Sequence, residues 1–580
     1  LDINLDDVIP DKIKSKKLSI SSANSETELL NSLKQIASKN KLFKNYIGYG
    51  YHPTITPSVI QRCIFENPNW YTQYTPYQAE ISQGRLEALI NFQTLITELT
   101  RMPVANASLL DESTAAAEAM VMLFRSKSGN KKDCNTYYAS SKIFPQTLAV
   151  LNTRASFLGI KLKTFDTTDD INFNEAFGVC IQNPDFNGEV TDFSQFITEC
   201  NNNNCLITVI TDLFSLLLLT PPGEQNVDVV VGTSQRFGIP LGFGGPHAAF
   251  FACKESYNRK IPGRIIGATL DKHNNKAYRM ALQTREQHIR KEKATSNICT
   301  AQALLAMMAS FYACYHGPTE LKNIATRIHQ LSRVLASNIK SLGFQLQTEN
   351  FFDTICISVP NTKLQNKIKS CFEENKINLN YFKSQTINIS LNELTTKEDV
   401  IEIVTLLAKC IQKDLNFTED DSNIKDKLNK RADNYLSQDC FNKYNSETNL
   451  MRYIKQLEDK DYSLTSGMIP LGSCTMKLNA ATEMMPLSWP EFANIHPFAP
   501  KNQTDGYEEI ITELGKDLCH ITGFEAISFQ PNSGAQGEYA GLITIKKYQE
   551  SINESHRNIA LIPTSAHGTN PASAVIAGLD

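Results

Sequence analysis

The sequence predicts an α/β protein with a mostly parallel sheet and helices on both of its faces. Short apolar runs rich in β-branched residues, such as residues 206–210 and 229–231, are typical of buried strands. Longer segments with apolar residues at helical spacing alternate with these runs, and residues 86–99 carry one apolar stripe. Strands that alternate with helices in this way favour crossover connections, which pair strands in parallel.

The composition excludes several classes of protein. Of the 580 residues, 41% are hydrophobic and 20% are charged, and the formal net charge is −4. Because there is no basic excess, we expect no nucleic-acid partner. Apolar runs such as residues 216–219 are far shorter than the ~20 residues that span a bilayer, so we expect no membrane partner.

The ends of the chain and its cysteines bear on its compartment. No secretory signal pattern opens the sequence, and the first residue is Leu1, so we expect either a removed leader or a start within a longer protein. The 14 cysteines form no Cys-x-x-Cys pair, which predicts reduced thiols. The 10 histidines show no metal-ligand spacing, so we expect no metal site. A bacterial cytoplasm or a mitochondrial matrix fits these features.

Changes in sequence character predict four segments. We expect a large domain over residues 1–316 and a small α+β domain over residues 317–415, since the pattern changes after Gly317. A polar, charged stretch predicts a linker over residues 416–445. The start of a second large domain is then expected over residues 446–580.

The second large segment echoes the first at a constant offset. The matching pairs are Gly50 and Gly472, Pro68 and Pro490, and Gly84 and Gly506. The apolar helical stripe of residues 89–99 recurs at residues 511–521. Two unrelated helices of similar length would give the same pattern, so the repeat remains one of two readings.

A candidate phosphate-binding turn lies at Ser533, Gly534 and Ala535. The motif follows a strand-like stretch and opens a predicted helix. Backbone N–H groups at a helix start, with small residues that allow close approach, form a phosphate site. The alternative is a plain helix cap at Ser533.

A second motif places His567 and Thr569 after an apolar run at residues 559–563, which we predict to be a strand. A histidine at the carboxyl edge of a sheet can lie flat against a planar ring or carry a proton. The alternative is a histidine satisfied within its loop.

Strings of residues along nearly the whole chain resemble the P-protein family of the glycine cleavage system, the glycine decarboxylases. The matching strings are residues 47–51, 71–78, 82–85, 109–120, 232–238, 242–247 and 472–479, together with the motif around His567. This family is built as two fold-type I, aminotransferase-like halves that belong to the pyridoxal 5'-phosphate (PLP) enzymes. The resemblance therefore implies tandem halves of this fold with a small α+β domain, the second half being incomplete.

The resemblance also implies that the first half is a scaffold. Only the carboxyl-terminal half of the family keeps a lysine that binds the cofactor. At the corresponding position of the first half this sequence has Gln235, which follows the strand-end residue Asp212. Phe144 stands where the family usually has histidine. We therefore expect residues 1–316 to bind no PLP.

The resemblance implies PLP-dependent decarboxylation of glycine, with transfer of the aminomethyl group to the lipoyl arm of H-protein, in a homodimer. This is the activity of a glycine dehydrogenase (aminomethyl-transferring). In this reading Ser533, Gly534 and Ala535 hold the phosphate, and His567, beside Thr569, stacks on the ring and acts in catalysis.

Substrate contacts and the cofactor lysine are also implied by the resemblance. Tyr74, Ser473, Cys474 and Thr475 are expected along the substrate channel. The lysine is expected beyond the end of the chain, where the resemblance places the family's lysine-bearing loop. Lys477 is a weaker candidate, because it precedes the sheet that would hold the cofactor. The chain by itself is then expected to be inactive.

Two other functions remain open. The chain could be a non-catalytic scaffold, or another fold-type I PLP enzyme such as a lyase for a different amino acid. The strings around Tyr74 and His567 argue against the second. An incomplete second sheet would expose apolar strand edges, so we expect the chain to aggregate or to need a partner.

Overall fold

The structure is a computed structural model that describes residues 8–14, 20, 22–72, 78–282, 287–294, 296–298, 302–414, 416–425, 427–468 and 478–580. Several residues that the motifs point to lie outside the described residues, namely Tyr74, Ser473, Cys474, Thr475 and Lys477. Below, residues 22–445 are called the N-terminal region and residues 446–580 the C-terminal region.

The strands, in chain order, are β1 Lys44–Tyr46, β2 Val104–Ala105, β3 Thr136–Ser140, β4 Lys161–Phe165, β5 Ala176–Asn183, β6 Leu206–Thr211, β7 Val229–Thr233, β8 Ala249–Cys253, β9 Ile266–Leu270, β10 Lys276–Met280, β11 Gln345–Leu346, β12 Thr354–Ser358, β13 Ile377–Leu379 and β14 Thr386–Ser390. The helices of eight residues or more are α1 Glu26–Ala37, α2 Gln83–Thr100, α3 Glu112–Phe124, α4 Pro145–Phe157, α5 Ser194–Asn202, α6 Ala303–Ser341, α7 Thr362–Glu374, α8 Lys397–Ile411, α9 Glu447–Glu458, α10 Asp505–Thr522, α11 Gly534–Ser551 and α12 Thr569–Ile576. Shorter helices lie at Ser58–Ile60, Gln61–Phe65, Pro68–Tyr71, Gln287–Arg290, Ala481–Met484 and Pro490–Ala493.

A seven-stranded mixed sheet forms the centre of the N-terminal region. Its strand order is β2-β8-β7-β6-β5-β3-β4. Strands β3 to β7 pair in parallel, whereas β8 is antiparallel to both β7 and β2. The predicted mostly parallel sheet is confirmed. The chain order changes direction between β3 and β5, and such a switch point is where open α/β sheets bind ligands, outside the carboxyl ends of the strands.

The apolar pattern of the sequence explains the burial of strand β6 and of one face of helix α2. Strand β6 is buried along nearly all its length, as expected of a parallel strand covered on both faces. The predicted stripe on α2 is confirmed, since Leu86, Leu89, Phe92 and Leu99 are all fully buried. This helix packs against α6.

A smaller antiparallel sheet of order β11-β12-β14 lies beside the central sheet. The long helix α6 leads to it and is interrupted at Gly317, whose φ of 65° favours glycine. The described residues of 416–431 contain no helix or strand. This segment is nevertheless tied down, since Nη1 of Arg431 donates to the carbonyl oxygens of Leu99 and Leu216 at 2.9 and 3.0 Å.

The C-terminal region has no strand among its described residues. The predicted strand at residues 559–563 is wrong, as is the strand expected before Ser533. A strand must pair its backbone N–H and C=O groups with a neighbour. Here the backbone of residues 558–560 bonds to Asp580 instead, and Ile559 and Leu561 are 74% and 94% exposed. Aggregation of the chain stays a prediction.

His496 joins the C-terminal region to the N-terminal region. It is fully buried, with Nε2 3.1 Å from the carbonyl oxygen of Gly48 and 3.2 Å from that of Tyr51. Its Nδ1 accepts a hydrogen bond from the backbone N–H of Phe498 at 3.1 Å. Both carbonyls are acceptors, so the neutral ring with its proton on Nε2 satisfies every contact. Burial lowers the pKa of His496 to about 4.

We expect the free energy of unfolding to fall as the pH drops from about 6.5 to about 4. In the unfolded chain His496 takes up a proton below its ordinary pKa of 6.5, whereas in the folded protein it stays neutral down to about 4. Protonation therefore favours the unfolded state over this range, by up to about 3 kcal/mol. Burial also lowers the pKa of His247 to about 4, which adds to the loss.

Denaturant unfolding across this pH range measures the effect. The His496→Gln variant should be less stable near neutral pH and should lose less stability on acidification. His556→Gln, at an exposed position, is the control and should follow the wild type. An unchanged pH dependence in His496→Gln would contradict the prediction.

Candidate functional site

The first candidate site is a cavity of about 50 Å³ at the carboxyl ends of β5, β6 and β7. It lies at the switch-point edge of the central sheet, where ligands of α/β folds bind. The residues that line it include Tyr49, His52, Glu112, Phe144, Gln182, Thr211, Asp212, Thr233, Arg236, Asp353 and Ser390. Pockets for drug-sized ligands have about 300–1,000 Å³, so this cavity is small.

Gln235 lies behind His52, which lines this cavity. Its side chain is fully buried and makes three hydrogen bonds. Oε1 accepts from the backbone N–H of His52 at 3.0 Å, and Nε2 donates to the carbonyl oxygens of His52 and Ile239 at 2.8 Å each. An amide in this position is a structural bridge and supplies no amine nucleophile.

An ion-pair cluster occupies the rest of the strand edge. Nη1 of Arg236 donates to Oδ2 of Asp212 at 2.6 Å and to Oδ2 of Asp353 at 2.5 Å. Asp212, the strand-end residue ahead of Gln235, therefore has an arginine partner. Burial, together with the charges of Asp212 and Asp111, raises the pKa of Glu112 to about 8, so this carboxyl is neutral near pH 7.

PLP does not fit this cavity. Phe144 packs against Tyr49, with ring centroids 5.4 Å apart, and adds an apolar wall. The residual volume, the Arg236 ion pairs and the amide of Gln235 leave neither the space nor the lysine for the cofactor. These contacts support the expectation that the N-terminal region is a scaffold.

The second candidate site begins at the first turn of α11. Ser533 caps this helix, since its side chain accepts a hydrogen bond from the backbone N–H of Gln536 at 3.2 Å. The cap satisfies one donor, and the N–H groups of Gly534 and Ala535 have no partner within the helix. A Cβ added at Gly534 would meet no atom within 4 Å, so space is open beside the turn. Helix capping and anion binding are therefore compatible here, and a phosphate group fits.

His567 lies in an exposed loop just before α12. Its Nδ1 is 3.3 Å from the backbone nitrogen of Thr569, which donates to it, and 3.1 Å from Oγ1 of Thr569. Oγ1 of Thr569 in turn donates to Oε1 of Glu538 on α11 at 2.9 Å. Because α11 and α12 pack together, the structure brings the His567 loop and the helix that starts at Ser533 into one cluster.

Three residues of this cluster were not predicted as site residues from the sequence. Glu538 accepts from Thr569 and from Ser573. Asn297 and Asp111 reach the same cluster from the N-terminal region. The one available signal was the spacing of Thr569 and Ser573, which puts two hydroxyls on one face of a helix. The predicted substrate residues Tyr74, Ser473, Cys474 and Thr475 lie outside the described residues and remain predictions.

Two features are absent from the part of the chain that the structure describes. None of its helices combines the length and the apolar character that crossing a bilayer requires. No three His, Cys, Asp or Glu side chains within it cluster closely enough to hold a metal ion.

The mixed seven-stranded sheet with its smaller antiparallel sheet is the fold-type I, aminotransferase-like architecture of PLP enzymes. A solved glutamate decarboxylase from Lactobacillus brevis is 12% identical, has a TM-score of 0.50 and covers 69% of this chain and 96% of its own, which shows the fold alone. A crystal structure described as glycine decarboxylase (P-protein) of the glycine cleavage system, in inhibitor-bound form, has a TM-score of 0.65. It is 29% identical and covers 70% of this chain and 95% of its own.

Sequence comparison defines the family. The family model "Glycine cleavage system P-protein" matches residues 1–407. The glycine dehydrogenase (decarboxylating) of Nostoc punctiforme is 52% identical over 100% of this chain and 60% of its own length, and that of Christiangramia forsetii is 52% identical over 99% and 60%. The chain therefore belongs to the glycine cleavage system P-protein family. It spans about 60% of the length of these curated relatives.

We expect that lysine at position 235 does not create a cofactor site. Gln235→Lys removes the acceptor of the His52 N–H and puts a charge into a buried position, so it should lower the free energy of unfolding by about 3 kcal/mol. The exposed control Gln35→Lys should leave it unchanged. Denaturant unfolding measures both, and a spectrum with added PLP should show no lysine adduct at residue 235. Such an adduct in a stably folded variant would show that PLP does fit this cavity.

Proposed function

We propose that the chain is part of a PLP-dependent glycine decarboxylase that passes the aminomethyl group to the lipoyl arm of H-protein. The observation that carries this proposal is the first turn of α11, with free N–H groups at Gly534 and Ala535, in one cluster with the loop of His567. Membership of the P-protein family and the names of the curated relatives support the choice of glycine as substrate.

The residues of the C-terminal region take distinct roles in this proposal. Ser533, Gly534 and Ala535 hold the phosphate group through backbone N–H groups and the Ser533 hydroxyl. The cofactor, when bound, supplies the electron sink that lets a carboxylate leave as carbon dioxide.

His567 faces the reacting group. Its Nδ1 accepts the N–H of Thr569, so the proton of the neutral ring lies on Nε2. The exposed ring can then stack on a planar cofactor while Nε2 holds or passes a proton. Tyr74, Ser473, Cys474 and Thr475 are proposed to contact the substrate.

The N-terminal region acts as a scaffold in this proposal. The amide of Gln235 and the Arg236 ion pairs favour that role for it, and Asn297 and Asp111 extend it to the candidate site. A homodimer, the H-protein partner and a bacterial cytoplasm or mitochondrial matrix complete the proposal. The bacterial sources of the curated relatives favour the bacterial cytoplasm.

The activity is tested on the protein encoded by the whole reading frame that contains these 580 residues. With PLP and lipoylated H-protein it should exchange the carboxyl carbon of glycine with labelled bicarbonate. Omitting the H-protein should reduce the exchange strongly. Exchange with another amino acid and none with glycine would favour a different fold-type I enzyme.

Two substitutions at Ser533 test the phosphate turn. Asp and Asn both cap helices as well as Ser does, so Ser533→Asp and Ser533→Asn should both keep α11. The added carboxylate repels a phosphate, so Ser533→Asp should weaken PLP binding by at least about tenfold, whereas Ser533→Asn should change it about threefold or less. Equilibrium dialysis with PLP measures both. Equal affinities in the two variants would place the phosphate elsewhere.

A further inference from the structure

Asn297 reaches from the N-terminal region to both helices of the candidate site. The residue is fully buried. Its Nδ2 donates to the carbonyl oxygen of Ala535 at 2.9 Å and to Oγ of Ser573 at 3.0 Å. Ala535 lies in the first turn of α11, and Ser573 lies on α12, one turn beyond Thr569. One amide group therefore holds the first turn of α11 against α12.

Glu538 sets the direction of these hydrogen bonds. Its Oε1 accepts from Oγ1 of Thr569 at 2.9 Å and its Oε2 accepts from Oγ of Ser573 at 3.0 Å. A carboxylate only accepts, so both hydroxyl protons point to Glu538. Oγ of Ser573 then presents a lone pair to Asn297. Both atoms that face Nδ2 of Asn297 are acceptors, and an NH₂ group satisfies them where a carboxylate would not.

A second contact from the N-terminal region meets the same turn. Nδ2 of Asn532, next to Ser533, donates to Oδ2 of Asp111 at 2.5 Å. Asp111 also caps α3, since it accepts from the backbone N–H of Thr114 at 2.8 Å. The turn is thus held on one side through Asn532 and on the other through Ala535.

We propose that Asn297 is a positioning residue for the phosphate turn, with the charge of Glu538 requiring an amide at position 297. By binding the carbonyl oxygen of Ala535, Asn297 fixes the peptide plane that follows the N–H groups of Gly534 and Ala535. The inference rests on the proposed function for its ligand, but the contacts themselves do not depend on it.

Isosteric substitutions test which atoms donate and which accept in these hydrogen bonds. Asn297→Asp sets a carboxylate against two acceptor atoms. It should therefore break both hydrogen bonds and loosen the first turn of α11. Glu538→Gln keeps the shape of the side chain, and its amide can donate to Thr569 while its oxygen still accepts from Ser573. In the double variant the amide of residue 538 can turn to Ser573, which releases the Ser573 proton for Asp at position 297. Glu538→Gln should therefore rescue Asn297→Asp in part, because the contact with Ser573 is restored while the carboxylate still faces the carbonyl oxygen of Ala535.

Two measurements on the 580-residue chain report the result. Hydrogen–deuterium exchange of the peptide over residues 531–540 reports the order of the turn without any ligand. Equilibrium dialysis reports the dissociation constant of PLP, with pyridoxal as the phosphate-free comparison. Asn297→Asp should raise this constant at least about tenfold, Glu538→Gln about threefold or less, and the double variant should recover part of the loss. The exposed control Glu513→Gln should match the wild type in both.

Asn297→Ala keeps the test decisive if Asn297→Asp does not fold. It loses both hydrogen bonds without adding a charge, so it should loosen the turn and Glu538→Gln should not rescue it. The inference would be overturned if the Asn297 variants kept wild-type hydrogen exchange and wild-type affinity for PLP, or if the double variant showed no recovery. PLP binding by the wild-type chain would still uphold the proposed function. The wild-type chain could bind no PLP while the turn still loosens in Asn297→Asp and recovers in the double variant. That result would support the inference and contradict the proposed cofactor site.

Discussion

The buried ion pair between Arg85 and Asp461 anchors the start of the C-terminal region on the N-terminal region. The two side chains are only 1% and 3% exposed, and Asp461 also accepts from the backbone N–H of Gly84 at 2.7 Å. Position 84 needs glycine, because a Cβ there would lie 1.9 Å from the carbonyl oxygen of Leu457. Removing one partner of such a buried pair costs about 3–5 kcal/mol, because the other charge is left buried without a partner. His496, Asn532 and Asn297 add further contacts between the two regions.

In the proposed function, the two regions divide the work that a single PLP enzyme domain performs. In the N-terminal region the sheet edge that would receive a ligand is taken up by Arg236 between Asp212 and Asp353. The position behind His52 is occupied by the neutral amide of Gln235, which bonds to the His52 backbone. In the proposed function, this region therefore acts through the surface that it presents to the C-terminal region. Asn297 and Asp111 lie on that surface.

The strands of the central sheet were predictable because parallel buried strands are continuous apolar runs, as at β6 and β7. The same reasoning failed at residues 559–563. Their apolar character favours a strand, but a strand exists only where a neighbour pairs its backbone, and the described part of the C-terminal region offers none. Local pattern is therefore a reliable guide to strands only inside a complete sheet.

The sequence by itself determined the features that depend on the chemistry of one residue and its neighbours. These are the helix cap at Ser533, the amide in place of an amine at Gln235, and the family motifs. Only the tertiary structure decided that Asn297 meets Ala535, 238 residues further along the chain. Only it decided that Glu538 orients two hydroxyls toward itself. The physical reason is that a hydrogen bond has a direction, which depends on the groups that folding brings into contact, and spacing along the chain does not specify those groups.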